Sequence, residues 1–345
     1  MQKTKRNHFI LGEHLFFVLA LALIYGLCVL LGSERLPLST MLDSLRASLQ
    51  GAEGTYITAI LSRRMQRALC AALIGASLSL CGAAMQGLLR NPLADGSTLG
   101  VSTGASLGAV TAMAFGISLP IFPNAGPMVM AMAFAFGSLL LILTLAYILD
   151  RSLSTHSIIL IGMIFSMFAS ALINLAFTFS GEKIKSITFW TMGSMADRKY
   201  SDALILLGAL VPCGAVLLGH SRALNAFAMG EDNARHVGVS VRRVKLTVLI
   251  AVSVLIGVCV SIGGTIGFVG LVMPHIARML VGPNHKRLLP ASMYFGAAFL
   301  MLADLLARSV LGSRQLPIGV VTSLVGAVTF VVIFYRTRKA GSKRC

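Results

Sequence analysis

Few residues in this chain could do chemistry, and their spacing decides which kind. Asp304 is the one clear acid inside an apolar run, and Arg308 stands one helical turn beyond it. An ionisable residue in such a run either serves ion or substrate movement or neutralises itself against a neighbour. Both readings fit this pair. A proton-coupled carrier needs acid or histidine relays within its spans, and a single paired aspartate is poor material for one. His275, beside Pro274, reads as a packed bundle histidine rather than a ligand. The six cysteines form no C-x-x-C pair, so neither a zinc site nor a disulfide framework is indicated. No G-x-x-x-x-G-K-[S/T], H-E-x-x-H or G-x-S-x-G motif occurs. Nothing points to a catalytic residue, a metal set, a cofactor or nucleotide hydrolysis by this chain itself.

A second group of residues suggests docking. The polar segment 220–245 reads HSRALNAFAMGEDNARHVGVSVRRVK. Gly230 can end one short helix and begin another. Glu231 and Asp232 then fall in the first turn of the second, where the helix dipole favours anions. Ala234 and Arg235 continue it, and Gly238 suits a C-terminal cap. Two short helices on one face of a membrane protein suit a soluble partner. An amphipathic turn lying in the interface is the other reading.

The elements that must position these groups follow from composition. Of 345 residues, 56% are hydrophobic and 12% charged, against about 25% charged in soluble domains. A spanning helix takes about 20 apolar residues, so the chain has room for about ten. Soluble enzymes and secreted disulfide scaffolds are excluded. Apolar runs lie near 15–32, 65–89, 97–118, 128–149, 157–179, 202–219, 246–271, 289–311 and 316–335, with a shorter piece beginning at Pro274 between 271 and 289. The N-terminus, with Lys3, Lys5 and Arg6, reads as leading into a retained first span rather than a cleaved signal. The net charge of +17 sits at the ends of apolar runs, where it orients spans and meets anionic lipid headgroups rather than nucleic acid. The excess of Lys and Arg falls on the side of both termini, which places these in the cytoplasm. The opposite side nevertheless holds many, Arg64, Arg67 and Arg308 among them.

Leu73-Ile74-Gly75, Ser79, Gly82 and Pro92 recur in register as Leu255-Ile256-Gly257, Ser261, Gly264 and Pro274, a weak internal repeat whose copies run in opposite directions. Small residues every fourth position (Ser79, Ala83, Gly87; Gly100, Gly104, Gly108; Gly263, Gly267) read as faces for close helix packing.

The chain resembles the FecCD family, the permease subunits of ABC importers for ferric siderophores, haem and cobalamin. The likeness rests on MQGLLRNPLADGSTLGVSTGASLG at 85–108, FWTMGS at 189–194, MGEDNARHVGVSV at 229–241, GTIGFVGLVMPHIAR at 264–278, LADLLAR at 302–308 and LPIGVVTSLVGA at 316–327, and extends over about residues 15–338. It implies an all-α polytopic membrane protein of the type II ABC importer permease fold, one domain over 1–345 with ten spans. It also implies a second permease copy or paralogue, two ATP-binding subunits, a periplasmic or lipoprotein substrate-binding protein, and a place in the bacterial cytoplasmic membrane. By resemblance, 222–238 is the pair of coupling helices, carried by Gly230, Glu231, Asp232, Ala234, Arg235 and Gly238. Ser154, Thr155 and His156 match the loop that narrows the cytoplasmic exit, although the family often has a small polar residue where His156 stands. Arg64, Arg67 and Arg308 match positions that receive acidic residues of the binding protein. The family's Arg-Leu-Pro-Arg appears here as Arg64-Met65-Gln66-Arg67, without the proline. The competing reading from a different class is a secondary transporter driven by an ion gradient.

Overall fold

The computed structural model describes the backbone of residues 2–32, 34, 37, 39–40, 56–96, 99–118, 125–151, 153–311 and 315–342, with side chains between Gly12 and Ile333 and at Tyr335. The basic residues Lys3, Lys5 and Arg6, which enter the orientation argument, lie outside the described side chains. In chain order the helices are α1 (Gln2–Leu30), α2 (Tyr56–Leu89), α3 (Val101–Phe115), α4 (Gly126–Leu149), α5 (Thr155–Thr178), α6 (Ile184–Thr191), α7 (Tyr200–Gly219), α8 (Ser221–Phe227), α9 (Glu231–His236), α10 (Val241–Gly263), α11 (Val269–Val281), α12 (His285–Ser309) and α13 (Ile318–Ser342). No strand occurs among the described residues. Seven helices are long and apolar enough to cross a membrane, and three shorter apolar ones, α3, α11 and the apolar part of α13, complete the set. The expected all-α, polytopic architecture of about ten spans is what the chain adopts.

Helices α2 and α10 form the centre, each 78% buried along its most apolar stretch. Around them pack α3, α4, α7, α11 and α12. Helix α5 turns Leu160, Ile164 and Phe168 outward, as a lipid-facing helix does. The two copies of Leu-Ile-Gly lie on α2 and α10, which run in opposite directions. Pro92 follows α2 in a turn, whereas Pro274 lies inside α11.

Small residues let the backbones meet. A Cβ at Gly75 would strike the Gly296 carbonyl of α12, one at Gly82 the Gly270 carbonyl of α11, and one at Gly108 the Met130 carbonyl of α4. Glycine is what permits each approach.

Among the boundaries that differ from the sequence reading, two bear on the site. The run expected over 246–271 ends at Gly263, because Gly264 and Phe268 take positive φ of 70° and 67° and turn the chain before Pro274. Pro274 has no N–H, so the Gly270 carbonyl one turn earlier has no helical donor. Gln86 Nε2 on α2 donates to it at 3.4 Å and to the Leu271 carbonyl at 3.1 Å. The proline is therefore carried inside α11, its backbone loss satisfied from a neighbouring helix. Helix α2 begins at Tyr56 rather than near 65 and has 34 residues. At about 1.5 Å per residue that is roughly 51 Å, well beyond an apolar core of about 30 Å. Arg64 and Arg67 lie on this overhang, and the helix continues unbroken through Met65 and Gln66, both of which keep an N–H.

The two ends of the bundle are distinct. Arg287 at the start of α12 pairs with Glu13 of α1 at 2.6 Å, at the end that also carries α8 and α9. Helix α13 starts at the opposite end, where Leu316 N donates to the Ala307 carbonyl at 2.9 Å. Both terminal helices thus reach the α8–α9 end.

Gly82→Ala forces a methyl against the Gly270 carbonyl, whereas Gly208→Ala on α7 enters open space. The first should cost about 1–3 kcal/mol as overpacking and the second almost nothing. Thermal unfolding of purified protein in detergent checks this; indistinguishable melting of the two variants would rule out the close approach.

Candidate functional site

At the α8–α9 end, each short helix is held by a few specific groups. Leu224 and Phe227 of α8 are fully buried. Asn225 Oδ1 accepts from His285 N at 2.9 Å and meets His285 Nδ1 at 2.8 Å, while Asn225 Nδ2 donates to Asn284 Oδ1 at 2.9 Å. These bonds fix α8 to the start of α12. Gly230, at φ 113° and ψ 152°, then reverses the chain in a conformation open essentially to glycine. Ala234 anchors α9 with no exposed surface. Gly238, at φ 85°, closes it: Gly238 N donates to the Arg235 carbonyl and Val239 N to the Ala234 carbonyl, both at 3.0 Å. This is the glycine cap read from the sequence. Asp232 and Arg235 pair at 2.8 Å on the open surface, an interaction worth little by itself. Met229 and Val237 stand out from the hairpin, 60% and 62% exposed.

Glu231 does something the sequence reading did not foresee. Its Oε1 meets Lys245 Nζ at 2.7 Å and accepts from Thr155 Oγ1 at 3.0 Å. Lys245, on α10, is 1% exposed and also donates to the Leu153 carbonyl at 2.9 Å. The hairpin and the loop before α5 are thereby tied together. Within that loop Leu153 has φ 52°. Asp150 Oδ2 accepts from Ser154 N and Ser157 Oγ, each at 3.1 Å, and Ser154 Oγ caps α5 through Ser157 N at 3.3 Å. Of the three expected gate residues, Ser154 and Thr155 are engaged and His156 is exposed. A readable signal for Lys245 existed: it falls on the same helical stripe as the buried Val241, Val244 and Val248.

At the opposite end Arg64, Arg67 and Arg308 gather in one corner, Arg64 and Arg308 buried and Arg67 half-buried. Arg64 is 6% exposed and donates to the carbonyls of Val29, Leu30 and Glu34 at 3.2, 3.0 and 2.7 Å. Arg67 Nε grips Asp304 at 2.8 and 2.9 Å, and its Nη1 donates to Gln315 Oε1 at 2.7 Å. Arg308 is 5% exposed; it donates to the Cys28 carbonyl, and its Nε lies 3.6 Å from Asp304 Oδ2. The partner of Asp304 at bonding distance is thus Arg67, with Arg308 a turn away completing the neutralisation. This is the neutralised arrangement that one of the two readings of Asp304 expects. The carboxylates and carbonyls these arginines engage belong to this chain. The three arginines line a cavity of about 500 Å³ that Arg63, Arg198 and Lys199 also border, together with the acids Glu34 and Asp197. A second cavity of about 500 Å³ lies where α10 breaks into α11, lined by Leu78, Ile173, Phe177 and Phe268 with the hydroxyls of Ser102 and Thr103.

Residues 18–336 match the FecCD transport family. The chain belongs to that family. It is 39% identical over 331 residues to the ABC transporter permease protein YvrB of Bacillus subtilis, covering 94% of this chain and 93% of that one. It is 38% identical over 280 residues to the molybdate import system permease MolB of Haemophilus influenzae, 81% of each chain. It is 37% identical over 283 residues to the vitamin B12 import system permease BtuC of Vibrio parahaemolyticus, 81% of this chain and 84% of that one. A solved ABC transporter in an inward-facing conformation, assigned only provisionally to the metal-chelate type, superposes with a TM-score of 0.80 at 33% identity, over 96% of this chain and 99% of that one. As a FecCD protein, the chain is a multi-span permease subunit of an ABC importer, a transport component rather than an enzyme. Such permeases work with ATP-binding subunits and a substrate-binding protein. The ion-gradient reading gives way to this family membership.

Asp304→Asn leaves Arg67 and Arg308 without their shared counter-charge, which should cost about 3–5 kcal/mol. Adding Arg67→Gln should recover part of that loss. Detergent unfolding of the single and double variants forms the cycle, and strictly additive effects would contradict the pairing.

Proposed function

We propose that this chain forms half of the translocation pathway of an ATP-driven importer in the bacterial cytoplasmic membrane. Two copies pair, two ATP-binding subunits sit below, and a binding protein delivers cargo from above. Both termini and the α8–α9 hairpin face the cytoplasm, a reading supported by the excess of Lys and Arg on that side. The observation that carries the proposal is the hydrogen bond from Thr155 Oγ1 to Glu231 Oε1 at 3.0 Å. It joins a hairpin with exposed apolar tips to the loop at the head of α5, so a partner that moves 222–238 also moves Ser154, Thr155 and His156. Gly230 and Gly238 set the hairpin's shape, Ala234 roots it, and Glu231, Asp232 and Arg235 give it polar edges. In this reading 222–238 couples to the ATPase and the 154–156 loop gates the exit.

The cargo is a ferric siderophore or a related haem or cobalamin chelate. The relationship to the vitamin B12 permease described above supports this class. The cavity at the α10–α11 break adds a physical reason. Its described walls are apolar side chains, small hydroxyls and Asp95, without a lysine or arginine. That suits a chelate whose charge is shielded by its own ligand better than a bare oxyanion such as the cargo named for MolB, which calls for cationic partners. At the outer end, Arg64, Arg67 and Arg308 form the floor, and Arg63 and Lys199 the accessible rim, of the cavity that receives acidic residues of the binding protein. Rim charges of this kind act mainly on association rate and salt dependence.

In intact cells, uptake of a radio-iron-labelled ferric siderophore should survive a protonophore and stop on ATP depletion. The opposite pattern would contradict ATP-driven import. In proteoliposomes, Glu231→Arg with Gly238→Pro should leave the permease inserted while abolishing stimulation of the ATPase by loaded binding protein. Stimulation equal to wild type would remove 222–238 from the coupling role.

A further inference from the structure

Lys245 occupies an unusual place: a lysine on the buried stripe of one of the two most buried helices, with almost no exposed surface. A charged side chain is kept in such a position only when its charge is matched and its donors are used. Here the match is divided between two separate pieces of chain. Nζ reaches Glu231 Oε1 on α9 at 2.7 Å and the Leu153 carbonyl in the loop before α5 at 2.9 Å. The same Oε1 receives the Thr155 hydroxyl at 3.0 Å, so Glu231 and Lys245 together hold two points of that loop. Leu153, a branched residue in the left-handed region at φ 52°, is a conformation that persists only where surroundings over-determine it. The bond to Lys245 is one such determinant.

We infer that Lys245 is the positioning residue that locks the Leu153–Thr155 turn at the head of α5 to the α9 helix, so that the two move as a unit. The inference rests on the coupling role proposed for 222–238. Its physical basis is that the connection cannot stretch gradually. If α9 shifts without the loop, Lys245 loses its counter-charge while still buried, and if the loop shifts alone, Lys245 loses the Leu153 carbonyl and Glu231 loses Thr155. Both partial states strand a polar group in the interior, which penalises them relative to a joint movement. Helix α10 provides the fixed fulcrum, since Val244, Val248 and Leu249 around Lys245 are themselves buried. Arginine would not substitute, because its planar fork does not reproduce a point charge shared between one carboxylate oxygen and one carbonyl.

The test uses the permease assembled with its ATP-binding subunits in nanodiscs, and needs no knowledge of the cargo. Arg151→Cys, an exposed site in the loop, reports loop movement through its rate of labelling by a membrane-impermeant maleimide. The ratio of rates between nucleotide-free and vanadate-trapped complexes should differ several-fold with Lys245 present. With Lys245→Met that ratio should collapse to about one while ATP hydrolysis stays within about threefold of the parent, a split that general misfolding would not produce. Thr155→Val keeps the ion pair and removes only the hydroxyl link; it should reduce the ratio partially, and it carries the test if Lys245→Met is not recovered as folded protein. A nucleotide-dependent ratio undiminished in either recovered variant overturns the inference. A ratio of one in the Arg151→Cys parent, with hydrolysis intact, overturns instead the coupling role of 222–238 and the inference with it.

Discussion

The centre of this molecule is organised around a carbonyl that its own helix cannot satisfy. Pro274 removes the donor that would have met Gly270, and in a bilayer no water replaces it. Gln86 supplies the missing bond from α2, and it can do so because Gly82 lets the two backbones come together. One sequence change, proline within α11, therefore requires a glycine and a glutamine on a helix far away in the chain. With α11 pinned to α2, the break at Gly264–Phe268 is fixed in place. The cavity beside it acquires its shape, and α12 follows through the Gly75–Gly296 contact. Hydrophobicity does not choose between helix arrangements inside lipid; close packing and satisfied polar groups do.

The same rule governs both ends of the bundle with opposite outcomes. At the α8–α9 end, a buried lysine and a partly buried glutamate connect elements that the functional account requires to move. At the other end, Arg64, Arg67, Asp304 and Arg308 tie together the end of α1, the overhang of α2 and the end of α12. Arginine suits the second task, since its fork can satisfy three carbonyls at once, as Arg64 does. Lysine suits the first, being a single flexible point charge.

Much of the architecture was legible in the sequence because membrane helices announce themselves by length and apolarity. Gly230 and Gly238 were legible for a related reason: each sits where a short helix must begin or stop, and positive φ singles out glycine. What escaped was whatever depends on the partner across the bundle. Arg64 and Arg308 read as outward cations, yet the carbonyls at the end of α1 take them in. Asp304 read as the partner of Arg308, one turn away, while Arg67 on another helix is nearer. Pro274 read as the start of a piece, because proline is the louder breaker. Gly264 and Phe268 at positive φ make the break, and the helix then passes through Pro274 with Gln86 donating to the carbonyl that the proline leaves. Lys245 ends the polar segment 220–245, yet its place on the Val241–Val248 stripe marks it as buried.

We propose the α8–α9 hairpin as the surface on which an ATP-binding subunit acts. Photo-crosslinking from Met229, which projects from the hairpin with 60% of its surface exposed, tests it most directly. A photoreactive residue at that position in the assembled complex should yield an adduct to the ATP-binding subunit, whereas one at Leu160 on the outer face of α5 should yield none. Adducts from Met229 confined to lipid, with the complex intact, would contradict the claim.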